Sequence, residues 1–252
     1  MSLDGNYRKR VFERYVTSKM YTKLRSGEEE ESMRIQYEGH WGNFLPESKD
    51  TSILDVGCGS GDFLVFLQSK GYRNAQGIDI SPEQVREAYD RGARNIVEGD
   101  ALSYLRLRQA EYDLIVALSF LEHLTKNELF DFLDAARIAL KPGGRLFCKV
   151  PNAKGPFGGR VVFGDITHEL VFTPDSILQV AAIAGFRPHY IKECGPIPHG
   201  FISTIRWVIW QAFRGLILLA MLAERADWKY RIYTTDMRFL LESQDTLGDH
   251  EL

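Results

Sequence analysis

An acid followed by three glycines at alternate positions is the part of this chain best suited to bind a charged small molecule. Asp55 lies near the end of an apolar run that begins at Ile53, and Gly57, Gly59 and Gly61 follow it. Glycine lets a ligand lie against the main chain, and the N-terminus of a helix offers unpaired N–H groups. The pattern therefore predicts a buried strand, a tight turn and a helix that together bind a nucleotide-like ligand.

The spacing of the glycines separates possible ligands. Dinucleotide-binding turns carry G-x-G-x-x-G, whereas Gly61 follows Gly59 by two positions, and the chain contains no P-loop sequence. Asp55 would repel a phosphate and would favour a ligand with a positive charge near the turn. These features disfavour an NAD(P)-dependent oxidoreductase, which stays as a lesser alternative.

Two further acids follow later apolar runs. Asp79 ends a second run about 20 residues after Gly59, where a Rossmann-like fold places the carboxylate that accepts from ribose hydroxyls. Asp100 follows a third run and could accept from an adenine amino group. Each acid has a plainer interpretation as a helix or turn cap.

The order of these segments closely resembles the class I S-adenosylmethionine (SAM)-dependent methyltransferases, and within them a small-molecule branch similar to the ubiquinone-biosynthesis O-methyltransferases. The resemblance covers roughly residues 40–195. It implies SAM as the methyl donor and S-adenosylhomocysteine as the product. It also implies the following cofactor-binding residues: Asp55, Gly57, Cys58, Gly59, Gly61, Asp79, Ile80, Asp100, Ala101, Leu118 and His123.

Two histidines and a glutamate are candidates for catalysis. A hydroxyl acceptor benefits from a base within hydrogen-bond reach, and Glu122 and His123 follow the predicted fourth strand. The ubiquinone-type enzymes carry Glu-x-x-Glu-His there, but Ser119 replaces the first glutamate, so no metal site is expected. His168 lies in a loop after the predicted fifth strand. In the alternative interpretations, His123 only lines the SAM pocket and His168 only stabilises its loop.

The alternation of strand and helix patterns predicts one α/β domain over residues 1–252. We expect a Rossmann-like, seven-stranded, mostly parallel sheet with an antiparallel last strand and helices on both faces. Residues 1–48 form an N-terminal helical cap that covers the cofactor or packs on the sheet, and residues 49–195 form the SAM-binding core. Residues 200–230 form a helical insertion between strands six and seven, and residues 231–242 form the last strand. Strands are predicted near 52–56, 74–79, 95–98, 112–118, 144–150 and 187–194, and helices near 60–70, 82–91, 126–140 and 174–185.

The inserted segment is a long apolar helix from about Phe201 to Glu224. Its length nearly spans a bilayer, but Arg206, Gln211 and Arg214 lie in its middle, and central arginines make spanning unfavourable. It is expected either to pack on the domain or in a dimer interface, or to make peripheral membrane contact through its apolar face. The second possibility suits a lipid-linked acceptor.

Composition limits the remaining possibilities. The net charge is −3 and no basic stripe extends beyond residues 7–10, which are expected to be solvated, so nucleic acid is not an expected partner. The three cysteines, Cys58, Cys148 and Cys194, show neither a disulfide nor a zinc pattern. With no apolar N-terminal run, the chain is expected in the cytoplasm, possibly at the inner face of a membrane. We expect methyl transfer to a small-molecule hydroxyl on a sugar, lipid-linked glycan or quinone-type precursor. The alternative is a catalytically silent SAM-fold binding module.

Overall fold

A seven-stranded sheet forms the centre of the chain in the computed structural model, which describes residues 6–18, 27–224 and 230–244. The strand order is β3-β2-β1-β4-β5-β7-β6, and only β7 runs antiparallel to its neighbours. This confirms the predicted fold class. The strands are β1 Ile53–Val56, β2 Ala75–Asp79, β3 Ile96–Glu98, β4 Tyr112–Leu118, β5 Leu140–Pro151, β6 Phe186–Glu193 and β7 Asp236–Ser243.

Apolar runs place β1 and β4 in the middle of the sheet. Every residue of β1 is buried, and so are five of the seven residues of β4. Parallel strands covered on both faces read as continuous apolar runs, and two apolar clusters pack on the two sides of the sheet. Ligands in such sheets bind beyond the carboxyl ends of the strands, which is the edge where Asp55 and Asp79 lie.

Helices cover both faces and begin at residues suited to cap them. Thr125 and Thr173 each form a capping box, and Ser81 caps the helix that starts at Pro82. Two short helices, Ala101–Leu105 and Gly158–Val162, were not predicted. The helices are α1 Asn6–Phe12, α2 Tyr15–Ser18, α3 Gly27–Trp41, α4 Asp62–Ser69, α5 Pro82–Asp90, α6 Ala101–Leu105, α7 Lys126–Ala139, α8 Gly158–Val162, α9 Pro174–Ile183 and α10 Phe201–Glu224.

The last strand begins later than predicted. Residues 231–235 were expected to open it, but β7 starts at Asp236. The side-chain amide of Asn152 donates to the carbonyl groups of Ile232 (3.1 Å) and Thr234 (2.9 Å). Because a buried side chain binds these carbonyl groups, the segment approaches the sheet as an irregular connection.

The N-terminal residues form separate helices over the carboxyl edge of the sheet. Helices α1, α2 and α3 lie within residues 1–48, the segment expected to form a helical cap, while residues 1–5 and 19–26 lie outside the described part of the chain. Arg8 corrects one expectation, because it is buried instead of solvated. Its guanidinium donates to both carboxylate oxygens of Glu128 (2.9 and 2.8 Å) and to the carbonyl of His123 (3.1 Å). These charge-assisted bonds hold α1 against the fold and lower the pKa of Glu128 to about 2 even though its partial burial opposes that shift.

Candidate functional site

A cavity of about 370 Å³ lies beyond the carboxyl ends of β1, β2 and β4. It brings together residues that are far apart in the chain but were all predicted to bind the cofactor. Gly61 is the one member of the predicted set that is not part of the wall. The wall includes Asp55, Gly57, Cys58, Gly59, Asp79, Ile80, Asp100, Ala101, Leu118 and His123.

The glycine turn takes the left-handed backbone conformation at all three positions. The φ angles of Gly57, Gly59 and Gly61 are 63°, 53° and 74°. A Cβ atom on Gly57 would lie 2.7 Å from the ring of Phe120, and one on Gly61 would lie 2.8 Å from Ala88 Cβ. Gly61 therefore serves the close packing of α4 against α5, and Gly57 and Gly59 form the cavity wall.

Asp55 gives this cavity an uncompensated acidic group. The side chain is buried, and Oδ2 has no hydrogen-bond partner among the described residues. Burial, together with the nearby carboxylates of Asp79 and Asp62, raises the pKa of Asp55 to about 8. A buried unpaired acid is costly unless a positive partner arrives. SAM carries an ammonium and a sulfonium and no phosphate, so the residues present fit this cofactor.

Asp79 and Asp100 act as caps and also line the cavity. Asp79 accepts from the backbone N–H groups of Gly59 and Ser81, both at 2.8 Å. Asp100 accepts from the backbone N–H of Ser103 at 2.8 Å and from its hydroxyl at 2.6 Å, at the start of α6. A carboxylate has about four lone-pair sites. The capping bonds therefore leave both acids with capacity to accept from ribose or adenine.

The N-terminal helices α1, α2 and α3 cover one side of the cavity. Phe12, Tyr15, Met33, Tyr37 and Trp41 from α1, α2 and α3 complete its wall. Tyr15 is held in place by its hydroxyl, which donates to Asp165 at 2.8 Å. The predicted cap over residues 1–48 therefore supplies the apolar side of the cavity, although the sequence alone did not show which residues face inward.

A second cavity, of about 380 Å³, adjoins the first and is more polar. Tyr15, Ser119, His123 and Lys149 line both cavities. The second cavity also has Glu122, Asp165, His168 and Asp236 in its wall. Two adjoining cavities that share one wall are what a transfer reaction between two bound molecules requires.

His123 lies at the junction of the cavities and is oriented by a relay of hydrogen bonds. The hydroxyl of Thr167 donates to Asp165 Oδ1 at 2.6 Å and lies 2.8 Å from His123 Nδ1. Because that hydroxyl has one proton and gives it to the carboxylate, Nδ1–H of His123 is the donor to Thr167. The neutral ring then carries its basic lone pair on Nε2. This is the arrangement expected of an oriented general base.

His168 and Glu122 lie beside His123 in the second cavity. The ring centroids of His123 and His168 are 4.9 Å apart, and His168 Nδ1 donates to the carbonyl of Val162 at 2.9 Å. Glu122 is buried, and burial raises the pKa of its carboxyl to about 8. Its backbone carbonyl accepts from Glu169 N (2.8 Å) and Leu170 N (3.0 Å), which holds the His168 loop against the end of β4.

The same three side chains also meet the geometric requirement for a metal-binding group. Ligand atoms of Glu122, His123 and His168 lie within 4.8 Å of one another. No metal was expected here from the sequence, and that expectation stays a prediction.

Several site residues were not identified from the sequence. Lys149 lies near the carboxyl end of β5, and the rule that parallel sheets bind ligands at that edge could have identified it. Asp165 and Thr167 lie just before His168 in the chain, but the sequence predicted no role for them. Ser119 has a φ angle of 56°, a conformation that is rare for residues other than glycine and that the sequence did not predict. Such backbone strain is characteristic of functional sites.

Comparison with known proteins agrees with this geometry. A family model described as a methyltransferase domain matches residues 53–144. The chain is 34% identical over 105 residues to a ubiquinone biosynthesis O-methyltransferase of Xylella fastidiosa. The aligned segment is 40% of this chain and 42% of that protein. It is 33% identical over 122 residues to 27-O-demethylrifamycin SV methyltransferase of Amycolatopsis mediterranei, with 44% of each chain covered. Ajmaline N-methyltransferase of Rauvolfia serpentina is 36% identical over 92 residues, which are 34% of this chain and 31% of that one.

The fold is shared with solved structures over a longer stretch. A SAM-dependent methyltransferase from Archaeoglobus fulgidus superposes with a TM-score of 0.62 at 21% identity, covering 85% of this chain and 97% of that chain. By contrast, the chain spans between about a third and a little under half of the length of the curated relatives it matches.

The sheet order, the glycine turn and the acid-lined cavity define a nucleotide-type cofactor domain of the methyltransferase class. The chain carries a methyltransferase domain over residues 53–144 and shares its fold with solved SAM-dependent methyltransferases, and its cavity residues fit SAM as the cofactor.

Proposed function

We propose that this chain transfers the methyl group of SAM to a hydroxyl of a small, polar acceptor bound in the second cavity. The observation that carries the proposal is the position of His123. It lines both cavities, and the relay through Thr167 and Asp165 orients its ring as a base.

The chemistry asks little of the protein beyond alignment and proton removal. SAM supplies an electrophilic methyl group on a sulfonium that leaves as a neutral thioether, so no acid is needed to expel it. His123 Nε2 takes the proton of the acceptor hydroxyl as the carbon–oxygen bond forms. Thr167 and Asp165 hold the imidazole in place and stabilise the positive charge that it gains. The roof formed by Phe12, Trp41 and their neighbours limits the entry of water.

The composition of the second cavity favours an acceptor rich in hydroxyl groups. Asp165, Asp236 and Lys149 offer charged hydrogen-bonding groups, and His168 adds an imidazole. At neutral pH the raised pKa of Glu122 makes its carboxyl largely protonated, so it can donate as well as accept. A sugar, a lipid-linked glycan or a quinone-type phenol fits these groups. Two of the relatives are named for O-methyl transfer and one for N-methyl transfer, which supports an oxygen acceptor without requiring it.

The proposal is tested by measuring SAM-dependent S-adenosylhomocysteine release against sugar nucleotides, polyprenyl-linked sugars and phenols. His123→Ala should lower kcat about 10²–10⁴-fold with any acceptor that the wild type uses. His168→Ala should keep the SAM affinity and lose turnover. His189→Ala is the matched control, because His189 is an exposed residue of β6 away from both cavities.

The outcomes separate the proposal from its alternatives. Weak or absent SAM binding in calorimetry, with no methylation of any acceptor in the panel, would favour the silent binding module. NAD binding without SAM binding would favour the oxidoreductase. Unchanged turnover in His123→Ala would remove His123 as the base.

A further inference from the structure

The helix α10 presents a wholly uncharged face to the outside of the domain. At 100° per residue, an arc of about 160° around α10 contains no charged side chain along its whole length. Its large members are exposed apolar side chains. They include Phe201, Ile205, Val208, Ile209, Leu216, Leu219 and Leu222.

Arg214 and Ser203 of α10 lie on the opposite face, against the domain. Arg214 pairs with Glu193 of β6 at 2.6 Å, and the buried Ser203 hydroxyl accepts from His199 N at 2.8 Å. Phe213 stacks on Phe157 with ring centroids 5.6 Å apart. A helix on a soluble domain normally turns its apolar face inward, so the orientation of α10 is the reverse of what water alone favours.

These contacts also decide how α10 could meet a membrane. Among the described residues, Phe201–Ala223 is long and apolar enough to cross a bilayer by length and composition. A spanning helix, however, must be surrounded by lipid or by other membrane segments. The ion pair at Arg214 and the stacking at Phe213 fix one side of α10 along the domain instead. The helix can therefore contact lipid only while lying parallel to the bilayer surface.

The exposed apolar surface continues from α10 to the acceptor side of the fold. Of the eighteen large apolar side chains that are exposed in the described residues, nine lie on α10 and four between Phe157 and Val171. The stacking of Phe157 on Phe213 joins the two groups. The segment from Phe157 to Val171 also carries Asp165 and His168 of the acceptor cavity. One apolar surface therefore adjoins the second cavity, where the proposed acceptor would bind.

The width of the apolar arc favours lipid over a second copy of the chain. A helix–helix seam uses a narrow stripe of about two positions in seven, whereas an interfacial helix immerses a broad face by about 5–10 Å. The arc of about 160° runs for about 36 Å, the length of the 24 residues of α10. Trp207 lies near its edge and is 40% exposed, and Arg206 and Arg160 are exposed beside the apolar surface. Tryptophan and arginine are the side chains suited to the headgroup region of a bilayer.

We infer that the domain binds the surface of a lipid bilayer as a peripheral protein. The contact is made by the outer face of α10 together with the exposed apolar side chains between Phe157 and Val171. The second cavity then lies beside the membrane surface. The membrane contact stands independently of methyl transfer, whereas delivery of a lipid-borne acceptor to that cavity rests on the proposed function.

Vesicle flotation of the full chain tests the inference. The vesicles contain phosphatidylcholine alone or phosphatidylcholine with anionic phosphatidylglycerol. Ile209→Glu/Leu216→Glu places two charges on the outer face, where each residue is 63% exposed. The matched control, Leu107→Glu/Ile183→Glu, places two charges at other apolar positions that are 84% and 66% exposed.

We expect the wild type and the control to float with the vesicles, more strongly with anionic lipid, and the helix variant to lose about tenfold or more in bound fraction. Thermal unfolding and SAM calorimetry should be alike for all three proteins, so a failure of methyl transfer is read separately from a failure of membrane contact. Wild-type protein that does not float would overturn the inference. So would a wild-type dimer in sedimentation velocity that becomes a monomer in the helix variant without any vesicle binding.

Discussion

The two cavities share His123, but one acid in each, Asp55 in the first and Asp165 in the second, differs sharply in its hydrogen bonding. In the cofactor cavity, Asp55 is buried with no hydrogen-bond partner for Oδ2 among the described residues. In the second cavity, Asp165 accepts hydrogen bonds from the Tyr15 hydroxyl, from the Thr167 hydroxyl and from the Thr167 backbone N–H. The first cavity holds an electrostatic cost that a positively charged ligand would relieve. In the second cavity the carboxylate of Asp165 is already hydrogen-bonded, and its bonds to Thr167 keep His123 oriented before any acceptor arrives.

The largest effect is expected when the hydrogen-bonded relay from Asp165 through Thr167 to His123 is broken. It tests whether the second cavity orients its base in advance. Thr167→Val keeps the side-chain volume but removes the hydroxyl that orients His123. We expect kcat to fall about 10²-fold while the SAM dissociation constant stays the same. A positioning role also predicts a changed pH–rate profile, because the imidazolium loses a partner. Equal losses in kcat and in thermal stability, with an unchanged profile, would reduce Thr167 to a packing residue.

The next effect belongs to the cofactor side. Asp55→Asn removes the carboxyl that would ionise when the cofactor binds, so SAM affinity in calorimetry should fall about 10–100-fold, the range for a hydrogen bond to a charged group. Because burial raises the pKa of Asp55 to about 8, the folded protein holds a proton that the unfolded chain loses near pH 4. The free wild type therefore loses stability as pH rises between those values.

Asparagine has no such proton to lose. The variant without SAM should accordingly unfold at an equal or higher temperature than the wild type near pH 7.5. A lower melting temperature together with unchanged SAM affinity would contradict the role assigned to Asp55.

A smaller effect should appear in the protons exchanged on binding. If the positive charge of SAM binds beside Asp55, the carboxyl of Asp55 must ionise. Binding below about pH 8 then releases up to about one proton from this carboxyl. Calorimetry in two buffers of different ionisation enthalpy measures this number. Proton release should be larger near pH 6.5 than near pH 8.5, and it should disappear in Asp55→Asn. No release in the wild type would show that Asp55 is not coupled to the cofactor.

The smallest expected effect concerns the group formed by Glu122, His123 and His168. We expect chelation with EDTA to leave turnover unchanged. Burial keeps Glu122 largely protonated at neutral pH, and a metal needs the deprotonated carboxylate as its ligand. Loss of activity with EDTA and its recovery with a divalent cation would instead make these three side chains a metal site.

The contrast between the cavities also explains which parts of the site could be predicted from sequence. Asp55, Gly57, Gly59 and Asp79 belong to strand–turn–helix units whose local pattern already defines their geometry, and the parallel sheet brings those units together. Thr167, Asp165, Tyr15 and Lys149 meet His123 from separate parts of the chain. No periodicity connects such residues, so only the folded chain shows that they touch.

The predicted boundaries show the same division. The helices that begin at Pro82, Lys126 and Pro174 matched their predictions because capping residues mark them locally. The start of β7 was wrong because Asn152, about 80 residues away, binds the carbonyl groups of Ile232 and Thr234. The burial of Arg8 was missed for a similar reason, since its partner Glu128 is distant in sequence.

The sequence by itself determined the α/β alternation, the cofactor turn and the apolar character of α10, because each follows from residue types at short spacing. Only the tertiary structure decided which nitrogen of His123 is basic and that the apolar arc of α10 faces outward. Both depend on contacts between segments that approach one another only when the sheet is complete. The geometry of a proton relay and the direction of a helix face are properties of the packed chain, and no local pattern encodes them.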